Sequence, residues 1–169
     1  LASIQILPGS AIGLAMITVV GQCVGAHDYK QAKMYAVKLM KITYLSMFVL
    51  DLFLLAIAMP LINFYRLSPE ASSTAWELIV CHTICAIVIW PSAFTLPNAL
   101  RAAGDVKFTM FTSIFSMWVF RIGMSYVLGA WFQMGVLGVW IAMIIDWVFR
   151  AIFFVQRFLR EKWKHRQVI

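Results

Sequence analysis

Unbroken apolar runs of about 20 residues govern what this chain can fold into, because a helix of that length crosses the roughly 30 Å hydrocarbon core of a bilayer. Five such runs lie at about 4–24, 42–64, 76–96, 108–128 and 136–155. In lipid, backbone polar groups must be satisfied within the element, so a spanning segment is a helix or a strand of a closed barrel. Barrel strands alternate in polarity over about ten residues; these runs do not alternate. The expected fold is therefore all-α and polytopic, with five transmembrane helices, the second carrying a lead-in from Ala32. Composition agrees: 63% of residues are hydrophobic, 12% charged, and mean hydropathy is +0.86. Soluble domains are nearer half apolar and a quarter charged. Soluble enzymes, nucleic-acid binders and secreted disulfide scaffolds fit poorly.

The net charge of +7 is distributed at the ends of the runs. Lys30, Lys33, Lys38 and Lys41 follow the first, Arg101 and Lys107 the third. The tail 156–169 carries Arg157, Arg160, Lys162, Lys164 and Arg166. The stretch RLSPEASS has one base and one acid, and AWFQMG has no charge. Basic loops belong on the cytoplasmic side. The N-terminus is thus expected outside, the C-terminus in the cytoplasm, and the basic tail against anionic lipid of the cell membrane; nucleic acid is not an expected partner. Leu1 already lies in or beside a span with no leader to place it outside. The sequence accordingly reads as the C-terminal part of a longer protein.

Ionisable groups in hydrocarbon cost about 2.5–3.5 kcal/mol each at a helix centre, so Asp51, Arg121, Asp146 and Arg150 each need an explanation. Arg121 and Asp146 fall at similar depth, and Arg150 lies four residues from Asp146, at facing distance on a helix. Asp51 or Asp146 could serve as a proton or cation site. Alternatively, an Arg121–Asp146–Arg150 cluster stitches the last two helices together, with Asp51 left without a partner in its own helix. Pro91 and Pro97 each remove a backbone donor. A bend there could line a cavity with Trp90, Ser92, Thr95 and Asn98, joined by Gln22 on the first helix; a kinked packing helix is the plainer reading. Pro60 reads as a helix terminator. Gly9, Gly13, Gly21 and Gly25 form a small-residue ridge for close helix contact. Cys23, Cys81 and Cys85 read as buried thiols: Cys81, His82 and Cys85 share a helix face, but zinc would need a fourth ligand. No metal site is expected. Trp76, Trp131 and Trp163 fall near expected interfaces, as belt residues do. Arg101, Gly104 and Asp105 read as loop anchors, Gly104 permitting the turn and Asp105 capping the next helix.

Three stretches then carry a resemblance. The first helix ends in GQCVGAHDYKQAK, the third in LPNALRAAGDVKF, and the last two contain SMWVFRIGMSYVLG and GVLGVWIAMIIDWVFRA. Together they resemble the C-terminal lobe of the multidrug and toxic compound extrusion (MATE) family over the whole chain. The resemblance implies helices eight to twelve of a twelve-helix, two-lobe transporter. Such a protein exports cationic or amphipathic organic compounds in exchange for Na+ or H+, by alternating access and with no cofactor. It also implies a missing N-terminal lobe as partner, and a place in the cytoplasmic gate for Arg101, Gly104 and Asp105. Some branches carry an acid part-way along the helix matching the third here. IVIWPSAFTLPNAL has none, and Glu77 lies at the opposite end, so the main coupling carboxylate is expected outside this chain. The alternatives are a lipid-linked oligosaccharide flippase of related architecture, which would favour a cationic cavity around Arg121 and Arg150, and a non-transporting structural subunit. An enzyme is disfavoured: the chain has no H-E-x-x-H, G-x-S-x-G or clustered aspartates.

Overall fold

The computed structural model describes residues 2–66 and 68–165; Arg166, read as part of the basic tail, lies outside them. The described residues are helical nearly throughout, without strands, in the order α1 (Ala2–Gln5), α2 (Leu7–Gly25), α3 (Tyr29–Phe64), α4 (Pro69–Val88), α5 (Leu96–Ala102), α6 (Val106–Ser116) and α7 (Gly135–Leu159). π-helical segments lie at Pro91–Thr95, Met117–Met124 and Val127–Trp131, and a 3₁₀ turn at Lys162–His165. Five helices are long and apolar enough to cross a membrane: Ala2–Gly25, Tyr29–Phe64, Pro69–Val88, Val106–Trp131 and Gly135–Leu159.

Local chemistry sets the boundaries. Asp28 ends the first connection by accepting the Gln31 N–H at 3.0 Å, which starts α3 well before its apolar run. α3 then continues for 36 residues, roughly 54 Å, so its first turns extend beyond the hydrocarbon. Pro60 lies inside α3 rather than ending it, and the helix closes one turn later. The expected start of the third helix, at 76, is too late. Ser68 accepts the Ala71 N–H at 3.3 Å, Pro69 occupies the first turn, and the helix runs from there. Proline fits the first turn because its missing N–H would be unpaired there anyway. The same run does not end at 96: it passes through the π-helical segment Pro91–Thr95 into α5.

α2 and α7 both pack on the stretch from the π-helical Pro91–Thr95 segment to α5, α3 packs on α2 and α4, and the Val106–Trp131 span packs chiefly on α7. An inner core joins Met16, Val20, Ala36, Leu100, Phe154 and Trp163 across three of the spans, α5 and the C-terminal turn. A second core gathers Met47, Ala86, Trp90, Ala93 and Trp147. Trp163 is no belt residue: it is buried, stacks on Phe158 with centroids 5.7 Å apart, and donates to the Phe158 carbonyl at 3.2 Å. Cys81 is likewise exposed rather than buried. The glycine ridge is half used. A Cβ on Gly9 would lie 2.2 Å from Trp90 and one on Gly13 2.5 Å from Asn98, whereas Gly21 and Gly25 have nothing within 4 Å.

Candidate functional site

The charged residues inside the spans separate into two arrangements. Asp146 is fully buried on α7. Its Oδ1 accepts Arg150 Nε at 2.9 Å and a short hydrogen bond from the Ser116 hydroxyl. Arg150 also donates to the Ser113 carbonyl at 3.1 Å and lies 5.3 Å from the Phe94 ring centre. This network ties α7 to α6 and to the π-helical segment Pro91–Thr95. Arg121 does not join it: the residue is exposed, and among the described residues it pairs with no carboxylate. The register set by Ser116 on Asp146 and Arg150 on Ser113 puts Arg121 about a turn beyond the pair, and its neighbour Phe120 is the one that packs on Phe149, with tilted rings 4.8 Å apart. Ser116, which sequence reasoning passed over, supplies the contact expected of Arg121. Its spacing from Ser113 is the available signal, since residues three apart share a helix face.

Asp51 differs. It is fully buried in α3, and among the described residues neither carboxylate oxygen has a hydrogen-bond partner. A Cβ at Gly9 would lie 2.9 Å from the Met47 sulfur. Asp51 is one turn beyond Met47, and Gln5 one turn from Gly9 in the antiparallel direction, so Asp51 and Gln5 fall at one level. Gln5 is itself buried, donating to Thr83 Oγ1 at 2.7 Å while its Oε1 takes the His82 Nδ1 proton at 2.7 Å. His82 makes edge contacts with Trp140 and Trp147. A polar layer drawn from α1, α3 and α4 thus crosses the bundle at this height. An ionised carboxylate without partners is costly in such a site, and a proton or a cation would relieve it.

The residues read as cavity lining are brought together only in part. Trp90 is buried and stacked on Phe94 at 5.2 Å. Thr95 is buried and donates to the Gly9 carbonyl at 3.1 Å. Ser92 and Tyr44 share a 2.6 Å hydroxyl contact, and Ser92 lines a shallow groove of about 260 Å³ against α7. Asn98 accepts from Arg101 at 3.0 Å, and Gln22 is exposed on α2. Trp90, Thr95 and Asn98 are thus engaged in contacts between or along helices, while Gln22 is exposed.

At the basic end, Gly104 turns the chain with φ +87°. Asp105 stands at the N-cap position of α6 but makes no side-chain cap bond. Its carboxylate instead accepts Arg157 Nε at 2.6 Å and Nη2 at 3.2 Å, a two-pronged pairing of the kind that fixes a guanidinium in place. Arg157 also lies over Phe108 at 4.6 Å. The reading of Asp105 as a cap is therefore replaced by a latch between the third connection and the end of α7. The partner, Arg157, had been read only as part of a basic tail. Lys33 and Lys164 both reach Glu161, at 2.5 and 2.6 Å. The start of α3, the 102–105 turn and the C-terminal turn consequently lie at one end of the bundle.

A family model described as MatE matches residues 1–127. A probable multidrug resistance protein NorM of Thermotoga maritima is 37% identical over 75 residues, covering 44% of this chain and 16% of its own length. The uncharacterized transporter YisQ of Bacillus subtilis is 32% identical over 103 residues, 61% of this chain and 22% of that protein. The probable multidrug resistance protein YoeA of Bacillus subtilis is 20% identical over 167 residues, 99% of this chain and 36% of its own. The chain thus spans 16%, 22% and 36% of the length of these relatives. No solved structure matches.

Proposed function

The chain belongs to the MatE family, and on that premise we propose that it forms part of a multidrug efflux transporter. The proposed substrates are cationic or amphipathic organic compounds, exported in exchange for Na+ or H+. Alternating access of two lobes around a mid-membrane cavity would move them, this chain supplying helices of one lobe. The basic end is assigned to the cytoplasmic face of the cell membrane because connections rich in Lys and Arg stay inside.

The observation that carries the reading is the family match over spanning helices that bury Asp51, a carboxylate without a hydrogen-bond partner among the described residues. Such a group in a span is the ordinary mark of an ion or proton pathway. Asp146 has the other role, joined to Arg150 and Ser116 as a structural tie between helices. Arg101, Gly104 and the Asp105–Arg157 latch are assigned to the cytoplasmic gate. The flippase alternative would draw on Arg121 and Arg150, and Arg150 is engaged by Asp146.

The test is accumulation of ethidium in an efflux-deficient host expressing the complete open reading frame, with the proton gradient collapsed or sodium withdrawn. The reading predicts lower accumulation that depends on one of the two gradients. Accumulation equal to the empty host, from well-inserted protein, would overturn it.

A further inference from the structure

One outward face of α3 changes character part-way along. Lys30, Lys33, Lys38 and Lys41 line a groove of about 610 Å³ together with Lys164 and Glu161, with the apolar side chains of Met34 and Val37 between them. Directly beyond it, Ile42, Leu45, Val49, Leu50 and Phe53 line a second groove of about 520 Å³ that is almost wholly apolar. The two grooves adjoin where Lys38 and Lys41 lie one turn from Ile42 and Leu45, and from there the apolar groove winds on round the helix, since a four-residue row drifts by about 40° per step. The opposite face of α3, with Ala32, Ala36, Thr43, Met47 and Asp51, is the buried one.

We propose that this face holds one anionic phospholipid, its phosphate on the lysines and an acyl chain along residues 42–53. The dimensions fit. Eleven residues of helix rise roughly 16 Å, close to the half-thickness of about 15 Å that one leaflet contributes. The charge also fits. Lys33 and Lys164 are held on Glu161 at 2.5 and 2.6 Å, so their ammonium groups are positioned. Among the described residues no carboxylate pairs with Lys30, Lys38 or Lys41. Three unpaired ammonium groups at the head of an apolar groove complement a molecule with an anionic head and a hydrocarbon tail. A zwitterionic lipid would bring an ammonium of its own to the same place. The inference is independent of the efflux reading, since it concerns a face of α3 turned away from the packed helices.

The experiment is native mass spectrometry of the purified protein after incubation with equal amounts of phosphatidylglycerol and phosphatidylcholine of matched chains. Wild-type protein is expected to retain one phosphatidylglycerol in preference. Lys30→Gln/Lys38→Gln/Lys41→Gln is expected to lower that preference by about tenfold or more, with thermal unfolding unchanged because all three side chains are exposed. A control removing as many charges elsewhere, Arg66→Gln/Lys107→Gln/Arg160→Gln, should keep it. Val49→Trp retains every charge and obstructs the apolar groove, and it should also reduce retention. Equal retention of the two lipids by wild type, or equal loss in the control and the groove variant, would overturn the proposal.

Discussion

Asp146 and Arg150 show why a buried pair must be judged by its partners rather than by its spacing alone. The four-residue interval made their contact legible, and the structure has it at 2.9 Å. The third member was not legible, because depth along a helix fixes height and leaves the direction of the side chain to the helix face. Ser116 has both the height and the face, whereas Arg121, five residues further along the span, lies about a turn beyond Asp146 on an exposed side. Removing one member of a buried pair leaves the other charge uncompensated, at about 3–5 kcal/mol, whereas replacing both by apolar groups is often neutral. Asp146→Leu alone and Arg150→Met alone are therefore each expected to lower the unfolding temperature in detergent more than the double variant does. A double variant as unstable as the singles would mean that the pair is not the unit. Glu161 offers a second test, outside the membrane. Hydrogen bonds from Lys164 and Lys33 hold its carboxyl down from 4.5 to about 2. A carboxyl depressed on folding contributes stability that is full above its ordinary value and is lost as pH falls through the folded value. The tie between the start of α3 and the C-terminal turn should accordingly persist at pH 5 and weaken from about 4.5 down to about 2. Hydrogen exchange of the amides around Trp163 reads this directly, and Glu161→Gln should show the weakened state at all pH values.

The helices were legible from apolar run length, and their ends were not, because ends are set by single polar contacts. Asp28 and Ser68 each accept one backbone N–H, and each starts a helix in sequence too polar for a hydropathy reading to include. The glycine ridge divides for a related reason: a four-residue repeat names a face, and only a neighbour makes the face matter. Gly13 lies against Asn98 and Thr95, while Gly21 meets nothing. Overpacking costs about 1–3 kcal/mol, so Gly9→Ala, against the buried Trp90 ring and the Met47 sulfur, is expected to destabilise by about that amount and Gly21→Ala to be near neutral, by thermal unfolding. Equal effects would show that α2 packs otherwise. A bend is the expectation for the stretch around Pro91 and Pro97; the structure has a π-helix at Pro91–Thr95, a winding that depends on how the freed carbonyls find partners, which composition does not specify. Its side chains are largely committed to packing, Thr95 on the Gly9 carbonyl and Trp90 on Phe94.

At the scale of the molecule, the five spans gather their basic connections at one end through Asp105–Arg157 and the Lys33–Glu161–Lys164 contacts. Charge placement along the sequence made that legible, whereas the specific pairings required the fold. The interior is mostly apolar packing, crossed by the layer of Gln5, His82 and Thr83 at the level of Asp51. Asp51 is the acid that this packing leaves without a partner among the described residues, and Asp146 the acid that it engages. The two carboxylates are thus assigned opposite roles, and gradient-driven ethidium efflux from cells separates them. The measurement compares wild type, Asp51→Asn and the Asp146→Leu/Arg150→Met pair at matched membrane levels. The account predicts that Asp51→Asn weakens the dependence of efflux on the coupling gradient while the double variant retains it. Unchanged coupling in Asp51→Asn, with loss in the double variant, would contradict it.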